Sequence, residues 1–245
     1  MVLTDVSLVM SQTFTFTGTE STLSADFFPA LELDPEVEYE IGLLAFESYN
    51  SIPNVDSSNN KFHYTASSGE EKVIVIPEGA YEVKGIASFL RGELKHENPA
   101  NFMALTTNNN TLKTKLKCSF AVNLTPEDSI GRLLGLQAKR LRANESAESV
   151  GLVDIFRVNT IQVECDIAYG SFINGAPAHV VYQFFPNVPA GYKIIQEPTS
   201  IIYLPVTKSL IQNITLRITD QSGQLVNFRG ERITVRLHLR KKIVS

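Results

Sequence analysis

Apolar and polar residues alternate strictly in two segments near the end of the chain. Single polar or basic residues separate Ile214, Leu216 and Ile218, and the same pattern returns in residues 232–240. Because successive side chains of a β-strand point to opposite faces, each segment is predicted to be a strand with one apolar and one polar or cationic face. The apolar face of the second strand is predicted to close a core, and consists of Ile233, Val235, Leu237 and Leu239.

A polar turn lies between these two strands. Asp220, Gln221, Ser222 and Gly223 are residue types that favour tight turns. The pattern therefore predicts that the two strands fold back on each other as an antiparallel hairpin.

Most other strands are predicted from short apolar stretches that lie between Gly, Pro and Asn residues. The predicted strands cover residues 37–48, 72–76, 112–122, 150–156, 158–168, 178–184, 192–196, 201–206 and 224–228. This rhythm predicts an all-β fold, an antiparallel jelly-roll sandwich of about eight to ten strands with two short helices in the connections.

The two helices are predicted from an apolar stripe and from a start signal. In residues 81–94 the apolar Ile86, Phe89 and Leu90 lie on one helical face. The second helix is predicted to begin with Thr125 as its N-cap and Pro126 at its first position, and to end or loosen at Gly135.

The first thirty residues are rich in Ser and Thr and carry little apolar periodicity. They predict an N-terminal arm over residues 1–30, followed by a single jelly-roll domain over residues 31–245. A domain of this length buries enough surface to need no disulfide or metal. Cys118 and Cys165 are expected to be buried free thiols, with a disulfide between facing strands as the alternative.

Charge is distributed unevenly along the chain. Residues 1–60 contain ten Asp or Glu and no Lys or Arg, whereas residues 229–245 contain six Lys or Arg and one Glu. Three interpretations follow: the two ends meet within the fold and partly neutralise each other, they meet between neighbouring subunits, or the basic segment meets nucleic acid. Nucleic acid is the least favoured partner, because only Phe228 lies among the basic residues.

A subunit interface is therefore the functional hypothesis for the two charged segments. Its predicted basic side is Arg229, Arg232, Arg236 and Arg240. Its predicted acidic side is Glu36, Glu38 and Glu40.

No catalytic constellation is recognisable in the sequence. A hydrolase needs a nucleophile, a base and a residue that orients the base, and no such set or Gly-x-Ser-x-Gly motif is present. The four histidines lack metal-ligand spacing. Glu164 and Asp166 share one strand face, which favours a solvated surface over a metal or acid–base pair. We therefore expect no enzymatic activity, no cofactor and no metal.

The sequence also gives expectations about location. No stretch approaches eighteen apolar residues, so we expect no membrane-spanning helix and no membrane partner. Residues 1–5 lack the basic start and apolar run of a secretory signal, so synthesis inside the cell without a signal peptide is expected.

Several motifs resemble a family of proteins from virus-like mobile elements, the Polinton/Maverick and adintovirus group. The resemblance covers about residues 39–240. Its motifs are residues 49–55 (YNSIPNV), 59–62 (NNKF), 74–81 (IVIPEGAY), 129–135 (SIGRLLG), 191–194 (GYKI), 203–206 (YLPV) and 220–239.

Within that group, a single jelly-roll protein of this size is similar to the minor capsid, or penton, protein at icosahedral vertices. The resemblance implies a structural capsid protein without catalysis that is found in the virion. Its implied partners are further copies of itself, as a pentamer, and a major capsid protein. The alternative is a β-sandwich binding module that recognises a glycan or a protein receptor through its loops.

Overall fold

The structure is a computed structural model that describes residues 11–108, 110–153 and 157–242. The chain divides into two compact units. Unit 1 takes the chain up to Ile52 and again from Val158, and unit 2 is the continuous segment Pro53–Arg157. In sequence, unit 2 is therefore an insertion within unit 1.

One α-helix, α1 (Val83–Glu97), and eighteen strands form in the described residues. Numbered in chain order, the strands are β1 (Ser11–Gly18), β2 (Thr22–Glu32), β3 (Tyr39–Tyr49), β4 (Lys61–Thr65), β5 (Glu71–Val75), β6 (Met103–Asn108), β7 (Lys113–Cys118), β8 (Val122–Asn123), β9 (Arg140–Leu141), β10 (Ser146–Glu148), β11 (Ile161–Cys165), β12 (Ser171–Ile173), β13 (Ala176–Ala178), β14 (Val180–Phe184), β15 (Lys193–Gln196), β16 (Leu204–Val206), β17 (Leu210–Asp220) and β18 (Ile233–Lys241).

Unit 1 contains two antiparallel sheets of four principal strands each. One has the order β1-β18-β3-β15, with the short β16 also paired to β3, and the other has the order β14-β11-β17-β2. In chain order, the first principal strand pairs with the eighth, the second with the seventh, the third with the sixth and the fourth with the fifth. One long hairpin wound into two sheets is the jelly-roll arrangement, so the predicted all-β fold is confirmed.

The core of unit 1 lies between the inner faces of these two sheets. The apolar face predicted for β18 is confirmed, since Ile233, Val235, Leu237 and Leu239 are all at most 1% exposed. The ring of Phe46 lies 5.0 Å from that of Phe184 and 6.2 Å from that of Phe228, measured between centroids. These aromatic contacts join β3 to β14 and to the chain that leads into β18.

The predicted hairpin between β17 and β18 is wrong. β17 pairs with β11 and β2, whereas β18 pairs with β1 and β3 in the other sheet. The polar turn does form, because the Gly223 N–H donates to the Asp220 carbonyl at 3.0 Å. Beyond it the chain crosses to the other sheet, with Val226 and Phe228 buried, so the strand predicted over residues 224–228 does not form.

The first strands occupy much of the segment predicted to be an arm. β1 pairs with β18 along its full length, and β2 pairs with β17. Phe16 and Leu23 are buried in the core, while Thr13, Thr15 and Thr17, which alternate with the phenylalanines of β1, are exposed. Residues 1–10 lie outside the described residues. Residues 11–30 thus belong to the two sheets of unit 1. The chain divides into units 1 and 2, whereas the sequence predicts an arm and a single domain.

Unit 2 has a core of its own. It contains the sheets β5-β4-β8-β9 and β10-β7-β6 together with α1. The predicted first helix is confirmed as α1, which buries an apolar stripe that includes Ile86, Leu90 and Leu94. These side chains pack in a cluster with residues such as Phe62 and Leu116.

The second predicted helix is wrong. Residues 125–135 form successive turns, although Ile130, Leu133 and Leu134 are buried as the pattern predicts. Thr125 does not act as an N-cap, since its N–H and hydroxyl both donate to Oδ1 of Asn123, at 3.2 and 2.7 Å. The backbone is therefore set by local side-chain bonds that compete with a helix.

Two further predictions differ from the structure. More strands form than the predicted eight to ten, because unit 2 adds β4–β10 and the connections of unit 1 add β12, β13 and β16. Residues 150–153, part of a predicted strand, are not in a strand, and residues 154–156 lie outside the described residues.

Candidate assembly surface

The outward face of β18 carries the basic residues that the sequence singles out. Arg236 is exposed, and His238 and Arg240 are half-buried, between neighbours that point into the core. The directly paired residues on β1 are Thr15 for Arg236 and Thr13 for His238. This face therefore places cationic side chains beside a row of hydroxyl groups.

Two of the three predicted acidic residues are paired with basic residues of the same chain. Glu40 accepts from Nε of Arg240 at 2.6 Å, and the Glu38 carboxylate lies 2.5 Å from Nζ of Lys242. The antiparallel pairing of β18 with β3 brings these side chains together. For these pairs, the acidic and basic ends of the sequence meet within the fold and neutralise each other.

Arg240 is further held by an aromatic contact. Its guanidinium carbon lies 3.6 Å from the centroid of the Tyr203 ring, a cation–π geometry. The Tyr203 hydroxyl in turn lies 2.7 Å from Nδ1 of His238. Arg240 is thus engaged by two neighbours, and its role in the described chain is to fasten β18 to β3 and to the segment before β16.

The other three predicted arginines make no ion pair with a carboxylate of the described chain. Within the described residues, Arg229, Arg232 and Arg236 form no ion pair within 4.0 Å, and neither does the exposed Glu36. Lys193 chiefly, and Arg236 to a smaller extent, lower the pKa of Glu47. The predicted interface residues therefore separate into a paired group and an unpaired group.

Arg229 lies in a tight turn at one end of the sandwich. Arg229 and Gly230 both have positive φ, of 56° and 76°, and the Glu231 N–H donates to the Phe228 carbonyl at 3.1 Å. The turn borders a groove of about 580 Å³. The groove is lined by residues 19–22, 225–228 and Gly230.

Glu164 lies in β11 and Asp166 directly follows that strand, and both carboxylates accept hydrogen bonds from β17. Glu164 accepts from Arg217 at 3.0 Å and from the Thr219 hydroxyl at 2.8 Å. Asp166 accepts from the Thr215 N–H at 2.9 Å. The part of the chain that the structure describes holds no cluster of three or more side chains suited to a metal ion. Its helix is too short and too polar to cross a membrane.

Both cysteines are free and buried, so no disulfide joins them. Burial raises the pKa of both the Cys118 and the Cys165 thiol to about 12. A thiol with such a pKa is unreactive at neutral pH, and the two cysteines act as small apolar core residues.

The comparisons with known proteins bear on this arrangement. Neither a protein-family model nor a curated protein sequence matches the chain. Among solved structures, the chain is similar to the crystal structure of the mavirus penton protein, with a TM-score of 0.50 and 10% sequence identity. The match covers 95% of this chain and 99% of that one. The chain therefore shares the fold of a viral penton protein over nearly its whole length.

The structure also reveals a surface that the sequence reasoning missed. The edge strand β14 is flanked by four exposed aromatic residues, Tyr169, Phe172, Phe185 and Tyr192. A signal for it is present in the sequence, because no Asp, Glu, Lys or Arg occurs from Ile167 to Tyr192. With 20% charged residues overall, a stretch of that length would ordinarily carry about five.

Proposed function

We propose that this protein is a structural capsid protein, a subunit of a homopentamer at the icosahedral vertices of a virus-like particle. The observation that carries the proposal is the jelly-roll strand order of unit 1 together with the similarity to the mavirus penton protein. A jelly roll is a common architecture of capsid proteins. In this role the chain acts by assembly and performs no catalysis.

The proposed setting is the virion of an element of the Polinton/Maverick and adintovirus group. The partners are further copies of this chain and a major capsid protein that surrounds each vertex. A closed ring uses heterologous contacts, in which one face of each subunit meets a different face of the next. Each subunit of such a ring must therefore carry two different contact surfaces.

The unpaired arginines form one proposed contact surface of this assembly. Arg232 and Arg236 have no ion pair in the described chain and can meet carboxylates of a neighbour. The double substitution Arg232→Glu with Arg236→Glu is expected to weaken the oligomer, because like charges would then face each other. If the double substitution leaves the oligomer mass unchanged, the two arginines do not lie in the contact.

The mass of the purified protein in solution tests the function itself. Analytical ultracentrifugation or native mass spectrometry is expected to give five times the 27.1 kDa chain mass, or closed particles at higher concentration. A monomer at every concentration and salt condition contradicts the proposal. A monomer that binds a glycan array would favour the binding module instead.

A further inference from the structure

The β14 edge of unit 1 has the composition of a protein interface. β14 pairs only with β11 in its sheet, so its other side is an open strand edge. Natural sheets protect such edges with charged residues or with a covering element. Here no Lys, Arg, Asp or Glu lies between Ile167 and Tyr192, and four aromatic residues stand exposed around the strand. Depletion of charge with enrichment of aromatic residues marks the core of a protein–protein contact.

The aromatic residues lie at both ends of β14. Phe172 is 62% exposed in the β12–β13 hairpin that leads into the strand, with Tyr169 just before it. Phe185 directly follows the strand and is 69% exposed, and Tyr192 directly precedes β15 at 65%. We call these four residues the aromatic edge. All four belong to the stretch of the chain, residues 167–192, that carries no charged side chain.

The opposite edge of the same sandwich carries a single exposed phenylalanine. β2 is the last strand at the other end of the sheet from β14. Its residues 27–30 form an irregularity opposite Gln212, since Asp26 pairs with Asn213 and Leu31 with Ile211. Phe28 lies on this irregularity with its side chain fully exposed.

The Phe28 edge is acidic where the aromatic edge is uncharged. Residues 11–37, which form β1, β2 and the start of the next connection, contain five carboxylates and no Lys or Arg. The aromatic edge has no carboxylate to repel them, and the adjacent Lys193 is already paired with Glu47 of the same chain at 2.6 Å. The two edges are therefore electrostatically compatible with each other, whereas two copies of the Phe28 edge are not.

We infer that the aromatic edge of one copy of this chain receives the Phe28 edge of the next copy, which makes these edges the head-to-tail contact of the ring. The inference rests on the proposed homopentamer. The two edges lie at opposite ends of one sheet, so they are two different surfaces of the subunit, and a heterologous contact joins such unlike surfaces. The occupant of the aromatic edge is thus a second copy of this chain.

The exposed area of the aromatic edge is sufficient for a large part of such a contact. A buried aromatic side chain covers about 150–250 Å², so four side chains that are half to two-thirds exposed offer roughly 500 Å². A stable interface buries about 800 Å² on each partner. The four aromatic residues therefore provide more than half of that area, and they are of the type that dominates binding energy.

Substitutions on each edge test the inference in the full-length protein. One variant combines Phe185→Asp with Tyr192→Asp, and another carries Phe28→Asp. Each is expected to raise the concentration needed for pentamer formation by at least tenfold, as measured by sedimentation velocity. Phe102→Asp is the matched control, because Phe102 is 54% exposed and belongs to unit 2. Circular dichroism and thermal unfolding verify that every variant is folded.

Mixing the two edge variants tests the head-to-tail geometry. The Phe28→Asp variant keeps an intact aromatic edge, and the Phe185→Asp/Tyr192→Asp variant keeps an intact Phe28 edge. A mixture of the two is therefore expected to give dimers that cannot grow into rings. A mixture that contains only monomers would contradict contact between these two edges.

The outcomes separate this inference from the function on which it rests. A pentameric wild type whose edge variants remain pentameric overturns the inference and leaves the capsid proposal in place. A wild type that is monomeric under all conditions overturns the capsid proposal and the inference together. Loss of the pentamer in the Phe102→Asp control as well would show that the effect does not belong to these edges, and would also overturn the inference.

Discussion

At the scale of single residues, the clearest constraint on the backbone is at Gly135. Its φ is +68°, and an added Cβ would lie 2.7 Å from the carbonyl oxygens of Gly151 and Leu152. Both the conformation and the space therefore require glycine. Gly135→Ala is expected to lower the free energy of unfolding by roughly 3 kcal/mol, from strained backbone and overpacking together. Urea unfolding followed by circular dichroism measures this change.

Gly69 provides the matched control for Gly135. Its φ is +85°, but no atom lies within 4 Å of its added Cβ, and it belongs to the same unit. Gly69→Ala should therefore cost only the backbone penalty of about 1 kcal/mol. Equal losses for both variants would show that the two carbonyl oxygens impose no steric constraint.

A second residue-scale prediction concerns pH and the carboxylate of Asp128. Hydrogen bonds from Lys61, at 2.7 Å, and from His63, at 3.1 Å, lower the pKa of Asp128 below its usual 3.8. Because the folded pKa is the lower one, these contacts stabilise the protein above the unfolded value, and the contribution is lost as pH falls through the folded pKa. Asp128→Asn should therefore reduce the melting temperature at pH 5, with a smaller difference at pH 3.

The neighbouring carboxylate of Glu127 serves as the control for this measurement. Its side chain is 94% exposed, and its nearest cation, Arg132, is 3.8 Å away. Glu127→Gln is expected to change the melting temperature little at either pH, because an exposed pair contributes little. A difference for Asp128→Asn that stays constant from pH 5 to pH 3 would argue against titration of Asp128 as the cause.

At the scale of elements, alternation predicts which residues face the core but not which strands are neighbours. Ile214, Leu216 and Ile218 of β17 are buried as predicted, and so is the apolar face of β18. Either sheet of a sandwich satisfies that burial, so the pattern cannot distinguish a hairpin from a crossing between sheets. One observed partner of β18 is β1, more than two hundred residues away in sequence, and the other is β3, and no local signal reveals either pairing.

The pairing of β18 with β1 predicts a specific disulfide. Thr15 and Arg236 are directly paired, and both side chains are exposed. Paired residues of antiparallel strands have Cα atoms about 4.5–5.5 Å apart, within the range of a disulfide. Thr15→Cys with Arg236→Cys should therefore form a bond on mild oxidation, detected by mass spectrometry of unreduced peptides. The native thiols are buried and should not compete.

The pair Thr215→Cys with Arg236→Cys is the control for the disulfide. A hairpin with residues 220–231 as its loop would pair these two positions, whereas the structure places them in different sheets. No bond between them is expected. If this control pair forms a disulfide within one chain and the Thr15 pair forms none, β17 pairs with β18 as a hairpin and the observed pairing is contradicted.

The candidate surface was only partly predictable for a related reason. The sequence identifies Glu38, Glu40 and Arg240 as charged strand residues, but their mutual pairing depends on the register of β18 against β3. The aromatic edge was missed because its exposed residues lie in connections around β14, outside any periodic segment. Its charge-free composition was nevertheless readable from residues 167–192.

At the scale of the whole molecule, two separate apolar clusters underlie the division into units. One cluster lies between the sheets of unit 1, and the other, with α1, lies within Pro53–Arg157. A unit with its own core can in principle fold alone. A shortened chain in which residues 53–157 are replaced by a Gly/Ser linker is therefore expected to give a β-sheet spectrum and one cooperative thermal transition.

The core of the shortened chain offers an internal check on that expectation. Leu237 is fully buried in unit 1, so Leu237→Ala should lower the stability of the shortened protein by about 2–5 kcal/mol, as expected for a packed core. Arg236→Ala, one residue away and exposed, should have little effect. A broad transition that neither variant moves would show that unit 1 has no fixed core without unit 2.

The shortened chain also tests which unit carries the assembly contacts. The aromatic edge and the Phe28 edge both belong to unit 1, so a folded shortened chain should still form pentamers by sedimentation velocity. Its sensitivity to Phe28→Asp should match that of the full chain, because the same two edges meet in both. A folded, monomeric shortened chain would instead assign essential contacts to unit 2.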